Sequence, residues 1–109
     1  MAKKKAATKK EREFMGRMAD LGCVVCRNTY YTYSPANFHH CKFNRGFGQK
    51  KNHMVGFGLC PLHHQHGGNG IAFHSGRLSW ENNFGKEEEL FKLAMVRYKK
   101  SLTESSIML

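Results

Sequence analysis

Leu59-Cys60-Pro61-Leu62-His63-His64-Gln65-His66 is the stretch from which the rest of the chain can be read. Cys60 and His63 stand three residues apart, and proline follows the cysteine directly. Proline's fixed φ suits the first position of a helix, where its missing N–H loses nothing. The spacing therefore predicts a short helix over Pro61–His66 with Cys60 at its cap. Side chains three apart on a helix share a face, so Cys60 and His63 can grip one ion. His64 turns roughly a quarter-turn away, towards a different neighbour. One short helix can thus serve two centres.

Cys23-Val24-Val25-Cys26 supplies the matching half of the first centre. Two thiolates converge across such a turn, and with Cys60 and His63 they complete a tetrahedral set of the structural zinc kind. The other readings are a buried apolar turn and a redox pair. A thioredoxin-like redox pair needs a strand before it and a helix after it, whereas here a helix is expected before and strand-like residues after. No secretory signal precedes the cysteines, so the thiols are expected to be reduced, in a cytoplasmic setting, and metal is favoured over disulfides. Cys41 is left over, either as a buried thiol or as a substitute for His63.

The 109 residues suffice for one small domain, and a chain of this size gains from a staple. The net charge is +10, unevenly distributed: residues 21–80 carry six Lys/Arg and no Asp or Glu. A carboxylate-free stretch of that length predicts an electropositive face and a polyphosphate partner, DNA being the obvious one. No run is apolar enough to cross a membrane.

Residues 1–8 read as a basic disordered arm, 9–101 as one domain, and 102–109 as a tail. Phe14, Met15, Met18 and Leu21 recur at helical spacing, and Gly22 would end that helix in a left-handed cap. Thr29–Tyr33 and Asn37–Phe43 read as the two strands of a hairpin, followed by a glycine-rich basic loop over Asn44–Gly58. Arg77–Phe84 and Lys86–Ser101 read as helices, with Trp80 packed on Phe84. Leu90, Leu93, Ala94 and Tyr98 form the core stripe of the second. The fold class is α+β.

All seven histidines lie between positions 39 and 74. With His63 assigned to zinc, His39, His40 and His64 remain near one another in this arrangement, with His74 a further candidate. Two strands running into a helix, with His39-His40 on the second strand and His64 on the helix, resemble the ββα-metal (HNH) nuclease finger. The expected fold is thus a small HNH finger with structural zinc, flanked by an N-terminal helix and one or two C-terminal helices. The series Leu21-Gly22-Cys23-Val24-Val25-Cys26, His39-His40, Leu59-Cys60-Pro61-Leu62-His63-His64, Gly70-Ile71-Ala72-Phe73-His74-Ser75-Gly76, Trp80-Glu81 and Phe84-Gly85 is similar to the phage recombination-enhancement (Ref) nucleases. That match runs from about Met15 to Leu90. It implies a DNA endonuclease acting in phage or prophage recombination in a bacterial host cell, directed by a RecA filament.

Within that resemblance His39 and His64 hold a catalytic divalent metal (Mg2+, Mn2+ or Zn2+) and His40 is the general base. His74 is a further ligand, a phosphate contact or a purely structural histidine. Arg45, Lys50, Lys51 and Arg77 can hold flanking phosphates. HNH enzymes commonly carry an Asn nine residues before the helix His; here that position is Val55, with Asn52 or His53 or a backbone contact left to brace His40. A non-catalytic zinc module binding nucleic acid or a protein partner is the competing reading. It gives no reason for His39-His40 to lie beside His64.

Overall fold

Thr8 opens the first element. Its hydroxyl accepts from the Glu11 N–H while the Glu11 carboxylate accepts from the Thr8 N–H, a reciprocal capping box that satisfies two end donors. Helix α1, Lys9–Asp20, buries Phe14 and Met18, the positions that its periodicity picks out. Gly22 follows at φ +89, as a left-handed cap requires, and a Cβ there would press on the Tyr33 ring at 2.8 Å. In this computed structural model residues 6–44 and 52–108 are described. Arg45, Lys50, Lys51 and residues 1–5 of the basic arm lie outside the described residues.

The hairpin differs from expectation. Thr29–Tyr33 is not a strand: Val24–Thr29 forms helix α2. The Cys26 carbonyl accepts from both the Tyr30 and the Thr32 N–H, and Tyr31 stands at φ 54. A chain leaving the cysteine knuckle as a helix cannot also pair as a strand from Thr29. Strand β1, Asn37–His40, instead pairs antiparallel with β2, Gly56–Leu59, with His39 opposite Phe57 and His40 opposite Gly56.

Two glycines made β2 read as loop, and packing explains them. A Cβ on Gly56 would collide with the His39 carbonyl and the Phe38 ring. One on Gly58 would meet the Gly22 carbonyl at 2.6 Å and the Ala36 Cβ at 3.0 Å. These glycines let backbone approach backbone, a recognised use of glycine within strands.

Beyond β2, the central helical turn spans Leu62–His66 with Pro61 at its cap, one residue later than predicted. A 3-10 turn, Phe73–Ser75, leads to helix α3, Arg77–Phe84, which Gly85 ends. Helix α4 runs Glu87–Met108. It passes Ser101, the predicted end, because no glycine or proline follows to stop it. Trp80 meets Phe84 edge-on at 5.7 Å, as expected. Leu90 and Ala94 are buried and Tyr98 packs against the core, its ring 5.0 Å from that of Phe14, but Leu93 is exposed and does not belong to the core stripe.

The class is α+β: one two-stranded sheet with helices around it. Phe57, Leu59, Phe73 and Trp80 form the middle of the core. Trp80 also donates its indole N–H to the His63 carbonyl at 3.1 Å. That bond fastens the central turn to α3 and satisfies a buried donor.

Candidate metal centres

Cys23 precedes α2, Cys26 lies within it, Cys60 follows β2 and His63 lies in the central turn. All four are buried, and their donor atoms fall within 4.8 Å of one another. Cys26 Sγ and Cys60 Sγ are 3.9 Å apart. His63 Nδ1 is 3.1 Å from Cys60 Sγ and 3.6 Å from both Cys23 Sγ and Cys26 Sγ. An ion bound tetrahedrally at about 2.3 Å from sulfur and about 2.0 Å from nitrogen sets sulfur–sulfur edges near ~3.8 Å and sulfur–nitrogen edges near ~3.5 Å. The four residues therefore fit a closed metal site of the zinc size.

Burial pushes the Cys23 thiol up to about 12, so a thiolate there needs a cation beside it. Burial lowers His63 as well, which favours the neutral imidazole that a metal takes. The Tyr30 ring stacks over His63 with centroids 6.0 Å apart and covers the site from one side.

The second cluster is His39, His64 and His74, again with donor atoms within 4.8 Å of one another. His64 follows His63 directly but turns the other way, and its Nε2 lies 2.9 Å from His74 Nε2. That is a hydrogen bond when one ring carries the proton. It is also close to the separation, ~3 Å, of two ligands about 2.1 Å from one ion at right angles. Burial, with His39, His74 and Lys42 nearby, lowers His64 to about 4, so the ring is neutral and ready to donate a lone pair.

A cleft of about 320 Å³ opens beside this cluster, lined by Phe38, His39, His40, Lys42, His64, Gln65 and His74. Alternation along β1 separates the histidine pair. His40 lies edge-on to Phe38 on one face, whereas His39 turns inward against Phe57 and Phe73. The structure thus brings together His39, His64 and His74, and puts His40 on the same cleft.

Arg77 is 40 % exposed, with its guanidinium 3.5 Å from Glu81 and 3.6 Å from Glu87. Its charge is therefore shared with two carboxylates.

His53 was one of the candidates to brace His40, and the structure brings it there; Lys42 and Glu87 were not legible beforehand. His53 Nδ1 lies 3.0 Å from His40 Nε2. Lys42 lines the cleft and stands 5.9 Å over the Phe73 ring. Glu87, fully buried at the start of α4, holds His39 Nε2 at 2.6 Å. It is the first of three consecutive glutamates, and nothing local singles it out from the other two.

Two clusters of metal-ligating side chains, one closed and one opening on a cleft, set in a small α+β scaffold, define the class of protein: one able to hold metal ions at two adjacent positions. A finer assignment comes from its relatives. The model of the recombination-enhancement, RecA-dependent nuclease family matches residues 7–97, and the chain belongs to that family. No curated protein matches the chain. Among the described residues, no helix is long and apolar enough to cross a membrane.

Proposed function

We propose that this protein is a metal-dependent DNA endonuclease of the HNH, or ββα-metal, type, acting in phage or prophage recombination on DNA held by a RecA-type filament inside a bacterial cell. Family membership supports the nuclease activity and the RecA relationship. The observation that carries the mechanism is the meeting of His39 from β1, His64 from the central turn and His74 at one cleft, next to His40. A hairpin followed by a helical turn, with the histidines divided in this way, supports the HNH assignment. A non-catalytic zinc module has no use for this second cluster.

Cys23, Cys26, Cys60 and His63 would hold a structural zinc, joining the knuckle to the central turn and offsetting a small core. His39 and His64, with His74 as third ligand, would hold the catalytic cation. A divalent ion there supplies charge neutralisation at the phosphoryl group and the leaving oxygen.

The chain's own side chains do the rest. His40, as the neutral imidazole, takes a proton from the attacking water. Lys42, at the rim of the cleft, offsets phosphate charge on the bound strand. Arg77, through its exposed part, and the sequence candidates Arg45, Lys50 and Lys51 would grip flanking phosphates.

The test is cleavage of DNA by purified protein with Mg2+ or Mn2+, with and without a RecA filament, beside His40→Ala. The reading expects metal-dependent cutting, and a loss of about 10²–10⁴-fold in the variant with zinc content unchanged. Equal cutting by His40→Ala would remove the base assignment. No cutting under any condition would remove the enzyme.

A further inference from the structure

Glu87 is the first residue of α4 and is fully buried. An isolated carboxylate in that position would be expelled or neutralised. Oε2 accepts from His39 Nε2 at 2.6 Å, and Oε1 accepts from the Lys42 and Phe43 N–H groups at 2.8 Å each. The Glu87 N–H itself donates to Glu81 Oε2 at 2.7 Å.

His39, Cys41 and Glu87 also bring donor atoms within 4.8 Å of one another, which could suggest a third ion. The 2.6 Å contact argues otherwise. Two ligands about 2.0 Å from one ion stand at least ~2.8 Å apart even at a right angle. The pair is a hydrogen bond, and a carboxylate whose other oxygen already takes two backbone N–H donors is placed here as an acceptor on both oxygens. His39 must therefore carry its proton on Nε2, which leaves Nδ1 as its one nitrogen able to bind a cation.

We propose that Glu87 is the positioning residue of the second metal centre. It holds His39 in the tautomer protonated on Nε2, and with its other oxygen it ties the Lys42–Phe43 turn to that same ring. This rests on the metal-centre reading given above. A carboxylate behind a histidine ligand fixes the ring and raises its basicity, and losing such a partner costs roughly 10–100-fold in metal affinity. Glutamine cannot replace it. Glu87 faces donors on both oxygens, and an amide offers one acceptor and one donor. Turned either way, Gln would oppose two donors, or would push the His39 proton onto Nδ1.

The experiment titrates zinc-loaded full-length protein with Mn2+, following the free ion by EPR, for wild type, E87Q, E87D and His64→Ala. The expected result is one Mn2+ site in wild type, lost in His64→Ala and weakened roughly 10–100-fold in E87Q. E87D keeps two acceptors and should fall between wild type and E87Q. Wild-type affinity in a zinc-loaded E87Q would overturn the inference and leave the enzymatic reading standing. A wild type that keeps its zinc but binds no Mn2+ would instead overturn the metal-centre reading. Long-range 1H–15N NMR of wild type reads the His39 tautomer directly, so the outcome does not hang on how the variants fold. A proton on Nε2 supports the inference, and a proton on Nδ1 defeats it.

Discussion

His53 Nδ1 lies 3.0 Å from His40 Nε2, with the two ring planes inclined at 67°. The residue at the position where HNH enzymes commonly carry a bracing Asn is Val55. Its carbonyl accepts from the Cys41 N–H at 3.0 Å, and its apolar side chain packs against the core. The loop that carries His53 is shaped by Asn52, whose side-chain oxygen accepts from the Met54 N–H. Together these contacts give His40 an orienting partner that the usual Asn position lacks.

His53→Ala should therefore slow DNA cleavage by up to about 10²-fold, the scale expected when a catalytic group is misplaced by an ångström. Zinc content and thermal stability should stay at wild-type values. Steady-state cleavage assays beside zinc analysis check this. An unchanged turnover number would show that His40 is oriented by something else.

Cys23→Ser should lose the structural metal. On the proposed reading the four ligands would come from the knuckle and the central turn, so removing one thiolate would release both. Structural zinc in small domains is worth roughly 10–16 kcal/mol of apparent binding energy at neutral pH. A large fall in melting temperature, matched by zinc loss in elemental analysis, is the expected outcome. Zinc retained at full stoichiometry would refute the assignment.

Gly58→Ala should destabilise the fold without touching either cluster. The added methyl would meet the Gly22 carbonyl at 2.6 Å and the Ala36 Cβ at 3.0 Å, and neither is the end of a flexible side chain that could swing aside. Overpacking of this kind costs about 1–3 kcal/mol. Chemical denaturation of the zinc-loaded protein measures it. A midpoint equal to wild type would mean that β2 can shift away from Gly22.

Acid should weaken the metal-free second centre through His64. Its ring, ordinarily at 6.5, is lowered to about 4 in the folded protein, first by burial and then by its charged neighbours. Between those values the unfolded chain binds the proton and the folded chain does not, so stability falls as pH drops through that window. Stability should therefore decline from pH 6.5 towards pH 4 more steeply in wild type than in His64→Ala. Denaturation midpoints measured across that range, with no divalent metal beyond the bound zinc, test the sign. Parallel curves would mean that His64 titrates normally.

The family match over residues 7–97 agrees with a resemblance carried by short motifs alone. Those motifs were legible because each joins residues close in sequence. Cys23 and Cys26, Cys60 and His63, and the His63-His64 step are set by local backbone geometry, which a helix or a tight turn imposes wherever it occurs. The capped first helix and the Trp80–Phe84 pair were legible for the same reason.

What the sequence determined by itself is a small α+β chain whose cysteines and histidines fall at metal-ligand spacing, in a stretch without carboxylates. The tertiary structure alone decided that Gly56–Leu59 is the partner of β1, that His53 reaches His40 and that Glu87 stands behind His39. Each of these joins segments that are apart in the chain, Glu87 and His39 by 48 residues. Such contacts follow from which surfaces pack together. Two strand glycines look like a loop until the backbone they admit is in place, and one glutamate among three is unremarkable until burial gives it three hydrogen-bond donors to satisfy.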